Sequence, residues 1–206
     1  PWVVVDGYHG FMATPTDLST VADRVFYLAG GYKYAMAGEG GCFLHAPPGF
    51  CPRPVVTGWF AEFGDLEGPP GGVGYRTDGG RFWGATFDAS ALYRFNAVRR
   101  MLDEAGLTTA DVSAHALGLQ QRFSTALAAG ACGPLADAEV LNPIREDTPR
   151  ARFLALRHPD AARWRADLLE RSVVTDVRDD VIRFGFGLYQ DEADVDALIA
   201  ACAGLG

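Results

Sequence analysis

The order of apolar and polar residues separates the chain into an amino-terminal part built from short strands and a carboxyl-terminal part rich in helices. Unbroken apolar runs at residues 2–5 and 25–29 are typical of strands buried on both faces of a parallel sheet. Residues 42–45 form a third candidate strand. The Pro- and Gly-rich stretch at 47–80 shows little helical periodicity, so we expect a long loop there.

Helical periodicity begins near Asp88, which can cap the start of a helix, and Gly106 can end that helix. Between these positions apolar residues recur at helical spacing, at Ala91, Leu92, Phe95, Val98, Leu102 and Ala105. We therefore predict a long helix that bridges two domains.

A second helix follows directly. Thr108 and Asp111 have the spacing of a capping box, in which each side chain accepts a hydrogen bond from the backbone of the other residue. The apolar residues of this segment share one helical face, formed by Val112, Ala116, Leu119, Phe123 and Leu127. We predict that this face lies in a core.

The remainder of the sequence alternates strands with helices. Strands are predicted at residues 153–156 and 182–186. Between them Pro159 opens a helix that runs to about Glu170, and an amphipathic helix around residues 195–202 ends the sequence. The second half is therefore predicted to be an α+β domain.

Composition narrows the classes of partner. The 206 residues are 49% hydrophobic and 21% charged, which is usual for a globular protein with a sizeable core. A formal net charge of -8 argues against nucleic-acid binding, because that binding relies on clustered Lys and Arg. No apolar stretch approaches the roughly 18–20 residues of a membrane span. A small-molecule partner fits this composition better.

The cysteines and histidines carry no sign of a metal site. No CxxC pair occurs among the four cysteines, which are Cys42, Cys51, Cys132 and Cys202. We expect reduced thiols and a cytoplasmic protein. No i, i+4 pair occurs among the four histidines, which are His9, His45, His115 and His158.

Polar residues follow the first two predicted strands. Residues 6–9 read Asp-Gly-Tyr-His, and residues 30–33 read Gly-Gly-Tyr-Lys. Ligands of open α/β sheets bind beyond the carboxyl ends of the strands, so these two turns are predicted to form one site. A carboxylate at Asp6, at the end of a buried strand, is costly unless it is paired with a cation. The glycine pair before Lys33 lets backbone approach a ligand closely.

Further sequence motifs point to a known group of enzymes. The sequence resembles the class V aminotransferase group of pyridoxal phosphate (PLP) enzymes, which have the aspartate aminotransferase-like fold, and is most similar to kynureninase. The matching motifs occur in the family's order: Asp6-Gly7-Tyr8-His9, Gly31-Tyr32-Lys33-Tyr34, Gly58-Trp59-Phe60, Arg81-Phe82 with Thr86, Leu156 to Ala161, Asp176-Val177-Arg178, Ile182 to Phe186, and Leu188-Tyr189.

The resemblance implies a fold class and a domain division. The expected fold is α/β, the carboxyl-terminal part of the PLP-dependent transferase large domain followed by a small α+β domain. Residues 1–88 correspond to the large domain, whose amino-terminal half we expect to be missing, because the sequence opens inside a strand-like run without Met. Residues 89–107 correspond to the bridging helix, and residues 108–206 to the small domain.

The resemblance also implies roles for site residues. PLP chemistry needs a lysine to form an imine, an anion beside the pyridine nitrogen and donors for the phosphate. Lys33 would form the imine and Asp6 would pair with the ring nitrogen. His9 would lie near the ring hydroxyl or the phosphate side. Tyr32 and Trp59 would help to hold the phosphate.

Two further residues are implied to bind cofactor and substrate. Thr86 matches a threonine that reaches the cofactor phosphate from the neighbouring subunit, which implies a homodimer with shared sites. Arg183 matches an arginine that binds the α-carboxylate of an amino-acid substrate, a task suited to its planar fork of donors. We assign no direct substrate role to Arg178, because carboxylates within residues 176–180 can satisfy it.

The implied reaction starts with removal of the substrate α-proton by Lys33. Kynureninase-like hydrolytic cleavage of a carbon–carbon bond in the substrate's side chain is the leading hypothesis, and an aminotransferase or β-lyase is the alternative. Residues 85–88 read Ala-Thr-Phe-Asp where kynureninases usually show Gly-Thr-Pro-Pro, which puts aryl-substrate specificity in question. Residues 137–156 contain no cysteine, which disfavours a persulfide route. A non-catalytic PLP-fold binding protein is a third interpretation, disfavoured by the retained site residues.

Overall fold

The computed structural model describes residues 1–69, 71–145 and 150–206. The protein forms two compact units, Pro1–Ala105 and Gly106–Gly206. None of the described helices combines the length and apolarity that crossing a membrane requires.

The first unit contains a sheet with the strand order β1-β2-β3. The strands are β1 (Val3–Asp6), β2 (Val25–Gly30) and β3 (Cys42–His45), close to the predicted runs. β1 and β2 are parallel, whereas β3 is antiparallel to β2. The carboxyl ends of β1 and β2 therefore lie at one edge, where the turns after Asp6 and Gly30 begin.

The expectation that the first strand is buried on both faces is wrong for β1. Trp2, Val3 and Val4 are each about half exposed or more, and Asp6 is also exposed. β1 is an edge strand of the described sheet, so it lacks the neighbours that cover both faces of a central strand. The expectation also fails in part for β2, where Val25, Tyr27 and Ala29 on one face are buried but Phe26 and Leu28 on the other face are partly exposed.

The loop predicted at 47–80 is confirmed for residues 47–69 and 71–80, with two short 3-10 helices at Trp59–Asp65 and Gly79–Phe82, and residue 70 lies outside the described residues. Arg81 is almost completely buried and organises this loop. Its guanidinium donates to the carbonyl oxygens of Phe50 at 2.8 Å and Asp78 at 2.6 Å. A buried cation needs such partners, and the hydrogen bonds join two distant parts of the loop.

Helix α1 (Ser90–Glu104) follows, with ends close to the predicted ones, although its N-cap residue is Ala89, which makes no side-chain cap hydrogen bond. The Asp88 carboxylate accepts a hydrogen bond from the Ser90 backbone N–H at 2.8 Å, and Gly106 takes a positive φ of 68° directly after the helix. Leu102 is buried on the predicted apolar face, whereas Leu92 is half exposed.

The second unit is an α+β domain, as predicted. Its sheet is antiparallel with the strand order β4-β5-β7-β6. The strands are β4 (Glu139–Val140), β5 (Phe153–Arg157), β6 (Asp176–Arg178) and β7 (Val181–Gly185). The helices are α2 (Thr109–Ala128), α3 (Ala161–Glu170) and α4 (Glu192–Ala203), and a 3-10 turn covers Gly133–Asp137.

The core of this unit lies between the sheet and its helices. The capping box of Thr108 and Asp111 is present, so α2 begins where the sequence predicts. Every residue of the predicted α2 face is buried, and the core also contains large side chains from the other elements: Leu154, Leu156, Trp164, Leu168, Ile182, Phe184 and Phe186. β4 and β6 were not predicted, because two or three residues are too short to show a strand period.

Candidate active site

Lys33 lies in a closed loop at the carboxyl end of β2. We name residues 31–41 the lysine loop. The Gly31 N–H donates to the Gly41 carbonyl at 2.5 Å and closes the base of the loop. Within it, the Ala37 N–H donates to the Gly31 carbonyl at 2.7 Å. These bonds define the backbone from which the lysine side chain projects.

Polar and aromatic groups from the turn after β1 and from the lysine loop itself lie near the Lys33 amine. Its Nζ lies 2.9 Å from Nε2 of His9, within hydrogen-bonding distance. The same Nζ is 5.8 Å from the ring centre of Tyr8 and 5.7 Å from that of Tyr32. The structure therefore brings together three residues that the sequence placed at one site, namely Lys33, His9 and Tyr32.

Asp6 ends β1 at the same edge of the sheet. Its backbone pairs with Leu28 of β2, and its carboxylate accepts a hydrogen bond from the Tyr8 N–H at 2.9 Å. Asp6 is exposed, so the argument from a buried carboxylate does not hold for the described residues. A solvated carboxylate at an edge strand needs no cation to stabilise it, and the pairing with a ring nitrogen remains a prediction.

Tyr8 links the two turns. Desolvation is the main reason that the pKa of its phenol is raised, and the charges of Cys42, Tyr32, Asp6 and Glu39 raise this pKa further. Groups from β1, the lysine loop and β3 therefore act on one hydroxyl. Gly30 makes room for this ring, because a Cβ there would lie 2.5 Å from a Tyr8 ring carbon.

Trp59 and Thr86 lie in another part of the first unit, next to an exposed aromatic cluster. The ring of Trp59 is half exposed and lies 5.3 Å from that of Phe60. The ring centre of Trp83 lies 5.4 Å from that of Phe60 and 5.2 Å from that of Phe87. Thr86 is exposed beside Phe87. The structure thus joins the two segments that carry Trp59 and Thr86, but describes neither residue against Lys33.

Arg183 lies on β7 in the second unit. Its guanidinium forms an ion pair with Asp176, its cross-strand neighbour on β6, and lies 5.7 Å from the ring centre of Phe153. Arg178 pairs with the same carboxylate at 3.4 Å. Two guanidinium groups therefore share one carboxylate. A substrate carboxylate would compete with Asp176 for Arg183.

A cavity of about 360 Å³ lies away from Lys33, at the other end of β3. Its lining includes His45, Asp78, Arg81 and Phe82. His45 pairs with Tyr27, whereas the lysine loop begins at the opposite end of β2. None of the predicted site residues lines this cavity. Among the described residues, no group of three His, Cys, Asp or Glu residues could hold a metal ion.

The sequence contains a signal that its motifs did not reveal. Lys33 is the sole lysine, beside seventeen arginines. Arginine serves wherever a permanent cation is enough, but it stays protonated and cannot act as a nucleophilic amine. Lys33 is therefore the one side chain in these 206 residues that offers a primary amine.

The comparison with known families concerns the second unit. Residues 112–202 match the profile of the kynureninase C-terminal domain. The matched residues extend from α2 to α4 and include Arg178 and Arg183. Kynureninase and the class V enzymes of this fold depend on PLP. No curated protein sequence matches the chain.

Solved structures show the fold of the whole chain. A cysteine desulfurase from Thermococcus onnurineus matches 97% of the chain and 51% of its own, with 17% identity and a TM-score of 0.75. The cysteine desulfurase CsdA from Escherichia coli matches 97% of the chain and 50% of its own, with 18% identity and a TM-score of 0.74. The cystine C-S lyase C-DES matches 96% and 50%, with 22% identity and a TM-score of 0.68.

These matches confirm the predicted fold class. The protein has the fold of the carboxyl-terminal part of PLP-dependent transferases, with a portion of the large domain followed by the small domain. It spans about half the length of the solved structures that it matches. At these identities the structural likeness establishes the fold alone.

Proposed function

We propose that this protein supplies the lysine and the substrate-binding arginine of a PLP-dependent enzyme that acts on an amino acid. The observation that carries the proposal is the position of the sole lysine, Lys33. Its Nζ lies 2.9 Å from Nε2 of His9. Both residues follow the carboxyl ends of the parallel strands β1 and β2, and Asp6 is the last residue of β1. The match of residues 112–202 to the kynureninase C-terminal domain supports the same function.

The described residues fit PLP. Lys33 offers a primary amine, Asp6 offers an exposed carboxylate at the same edge, and the Tyr8 and Tyr32 rings flank the amine. When bound, PLP draws electron density from the substrate α-carbon and so makes its proton removable. Lys33 would hold the cofactor, and Asp6 would interact with its ring nitrogen.

The residues of the protein then handle protons and charge. Lys33 would accept the α-proton as general base, which requires a neutral amine. His9 can share a hydrogen bond with Nζ, which would orient the Lys33 amine. Arg183 would release the Asp176 carboxylate and bind the substrate carboxylate in its place.

We infer a homodimer as the working assembly. Thr86 and Trp59 belong to segments joined by an exposed aromatic cluster, and exposed apolar patches of this kind often mark protein interfaces. Thr86 would reach the phosphate bound by the neighbouring subunit, and Trp59 and Tyr32 would complete the phosphate contacts.

The leading reaction is kynureninase-like hydrolysis of a carbon–carbon bond in the substrate's side chain. It is tested by incubating the purified full-length protein, loaded with PLP, with kynurenine. Release of alanine and an aromatic acid supports the proposal. Transfer of the amino group to an oxoacid, without an aromatic acid, would instead identify an aminotransferase. Pyruvate, ammonia and sulfide from cysteine, or pyruvate, ammonia and cysteine persulfide from cystine, would identify a β-lyase.

Replacing Arg183 with lysine should raise the KM for the amino-acid substrate about tenfold, with a smaller effect on kcat. Lysine keeps the charge but loses the two-pronged hydrogen bonding that suits a carboxylate, and such bonds to charged groups contribute roughly 1.5–3 kcal/mol. Steady-state kinetics measure both constants.

The matched control is Arg157→Lys. Arg157 also lies on the sheet of the second unit and pairs with a carboxylate, that of Glu139 at 3.1 Å. This exposed pair should contribute little, so KM should stay unchanged. An equal rise in KM for both variants would reject a specific role of Arg183 in carboxylate binding.

A further inference from the structure

Arg94 of helix α1 holds the lysine loop. Its Nε donates to the Ala37 carbonyl at 2.7 Å, and its Nη2 donates to the Glu39 carbonyl at 2.6 Å. These bonds join residues that are 57 and 55 positions apart in the sequence. The planar guanidinium thus binds two carbonyl groups of one loop at once, and charged donors make such hydrogen bonds strong.

The loop is shaped to receive this arginine. Gly38 lies between the two accepting carbonyls and has a φ of +70°. A Cβ at Gly38 would lie 3.1 Å from Nε of Arg94. Any larger residue at this position would therefore strain the backbone and crowd the guanidinium. The close approach of Arg94 depends on the glycine.

The lysine loop also contains a strained residue. Met36 has a φ of +54°, in the left-handed region that is unfavourable for a residue other than glycine. Its N–H donates to the Lys33 carbonyl at 3.1 Å, so this strained turn includes Lys33 itself. Strain of this kind persists only where the surrounding structure holds it. Arg94 provides part of this support, because it binds the carbonyl of Ala37, the residue that follows Met36.

We propose that Arg94 is a positioning residue for Lys33. By fixing the Ala37 and Glu39 carbonyls it fixes the turn from Lys33 to Met36, and so keeps the Lys33 amine at hydrogen-bonding distance from His9. The catalytic consequence rests on the proposed function, in which Lys33 is the general base. The effect on the loop does not depend on it.

The expected kinetic effect falls on kcat. A displaced base slows proton transfer, and a misplacement of about 1 Å can cost on the order of a hundredfold in rate. We expect Arg94→Ala to lower kcat about 10- to 100-fold with little change in KM, because Arg183 is proposed to bind the substrate carboxylate. Arg94→Lys, which can reach one carbonyl, should recover part of the lost kcat.

The control is Arg100→Ala, which removes an exposed arginine from the same helix. A second approach is Gly38→Ala, which leaves Arg94 in place but crowds its binding position. Both Arg94→Ala and Gly38→Ala should lower kcat, whereas Arg100→Ala should not. If Arg94→Ala fails to fold, Gly38→Ala and Arg94→Lys carry the same test.

Amide hydrogen exchange gives a readout that needs no activity. In the cofactor-free full-length protein, the peptide covering residues 31–41 should exchange at least tenfold faster in Arg94→Ala than in the wild type. Arg100→Ala should leave this exchange unchanged. Unaltered exchange in Arg94→Ala, or faster exchange together with unaltered kcat, would overturn the proposal. A wild-type protein that does not link PLP to Lys33 would instead overturn the proposed function and leave the exchange result standing.

Discussion

Lys33→Ala should remove the covalent link to PLP and lower turnover by roughly 10²–10⁴-fold, the usual contribution of a general base. The variant has no primary amine at the lysine loop, and the sequence has no other lysine to replace it. The measurement is borohydride reduction of the PLP-loaded full-length protein followed by peptide mapping. The wild type should carry the reduced cofactor on Lys33, whereas the variant should carry none within these 206 residues.

Lys33→Arg is the matched control for charge. It keeps a cation beside His9 and the Tyr8 and Tyr32 rings, but its guanidinium stays protonated and cannot form the link. It should be as inactive as the alanine variant. If either variant still traps the cofactor within the same residues, or keeps wild-type turnover, Lys33 does not have the proposed role.

Phe123→Ala should destabilise the second unit by about 3–5 kcal/mol, the usual cost of removing a fully buried aromatic ring. Phe123 is completely buried on α2, and its ring centre lies 5.0 Å from that of Phe184 and 6.0 Å from that of Phe186. Phe184 neighbours Arg183 on β7, so the lost packing also loosens the strand that presents the arginine. Urea unfolding followed by circular dichroism measures the change.

Tyr189→Ala provides the comparison. Tyr189 is also aromatic and lies in the same unit, but it is 85% exposed. Its removal should change the free energy of unfolding by less than about 0.5 kcal/mol. Similar losses for Phe123→Ala and Tyr189→Ala would mean that the core of this unit is not where the structure places it.

The sequence predicted the second unit more reliably than the first. Its helices are long enough to show a clear period, and the capping box at Thr108 marks the start of α2. Burial of β1 was predicted wrongly. An apolar run shows that a strand can be buried, but it does not show which other strands or helices lie beside it. Those neighbours are a property of the sheet, in which β1 lies at an edge.

The candidate site was predicted in part for a similar reason. His9, Tyr32 and Lys33 follow two adjacent strand ends, so local sequence was enough to bring them together. Arg94 and the pairing of Asp176 with Arg183 were missed. Arg94 binds backbone carbonyls, which every residue has, so the residue types in the loop do not reveal this interaction. Asp176 pairs with Arg183 across two strands, one of which was too short to predict.

The positions of the four cysteines allow a fluorescent label to be attached next to the lysine loop. Burial raises the pKa of Cys132 to about 11 and that of Cys202 to about 12, so both stay protonated and slow to alkylate near neutral pH. Cys42 is exposed and directly follows the Gly41 carbonyl that closes the loop. A fluorophore attached there would report local rearrangement during turnover, with the half-covered Cys51 replaced by serine to keep the labelling selective.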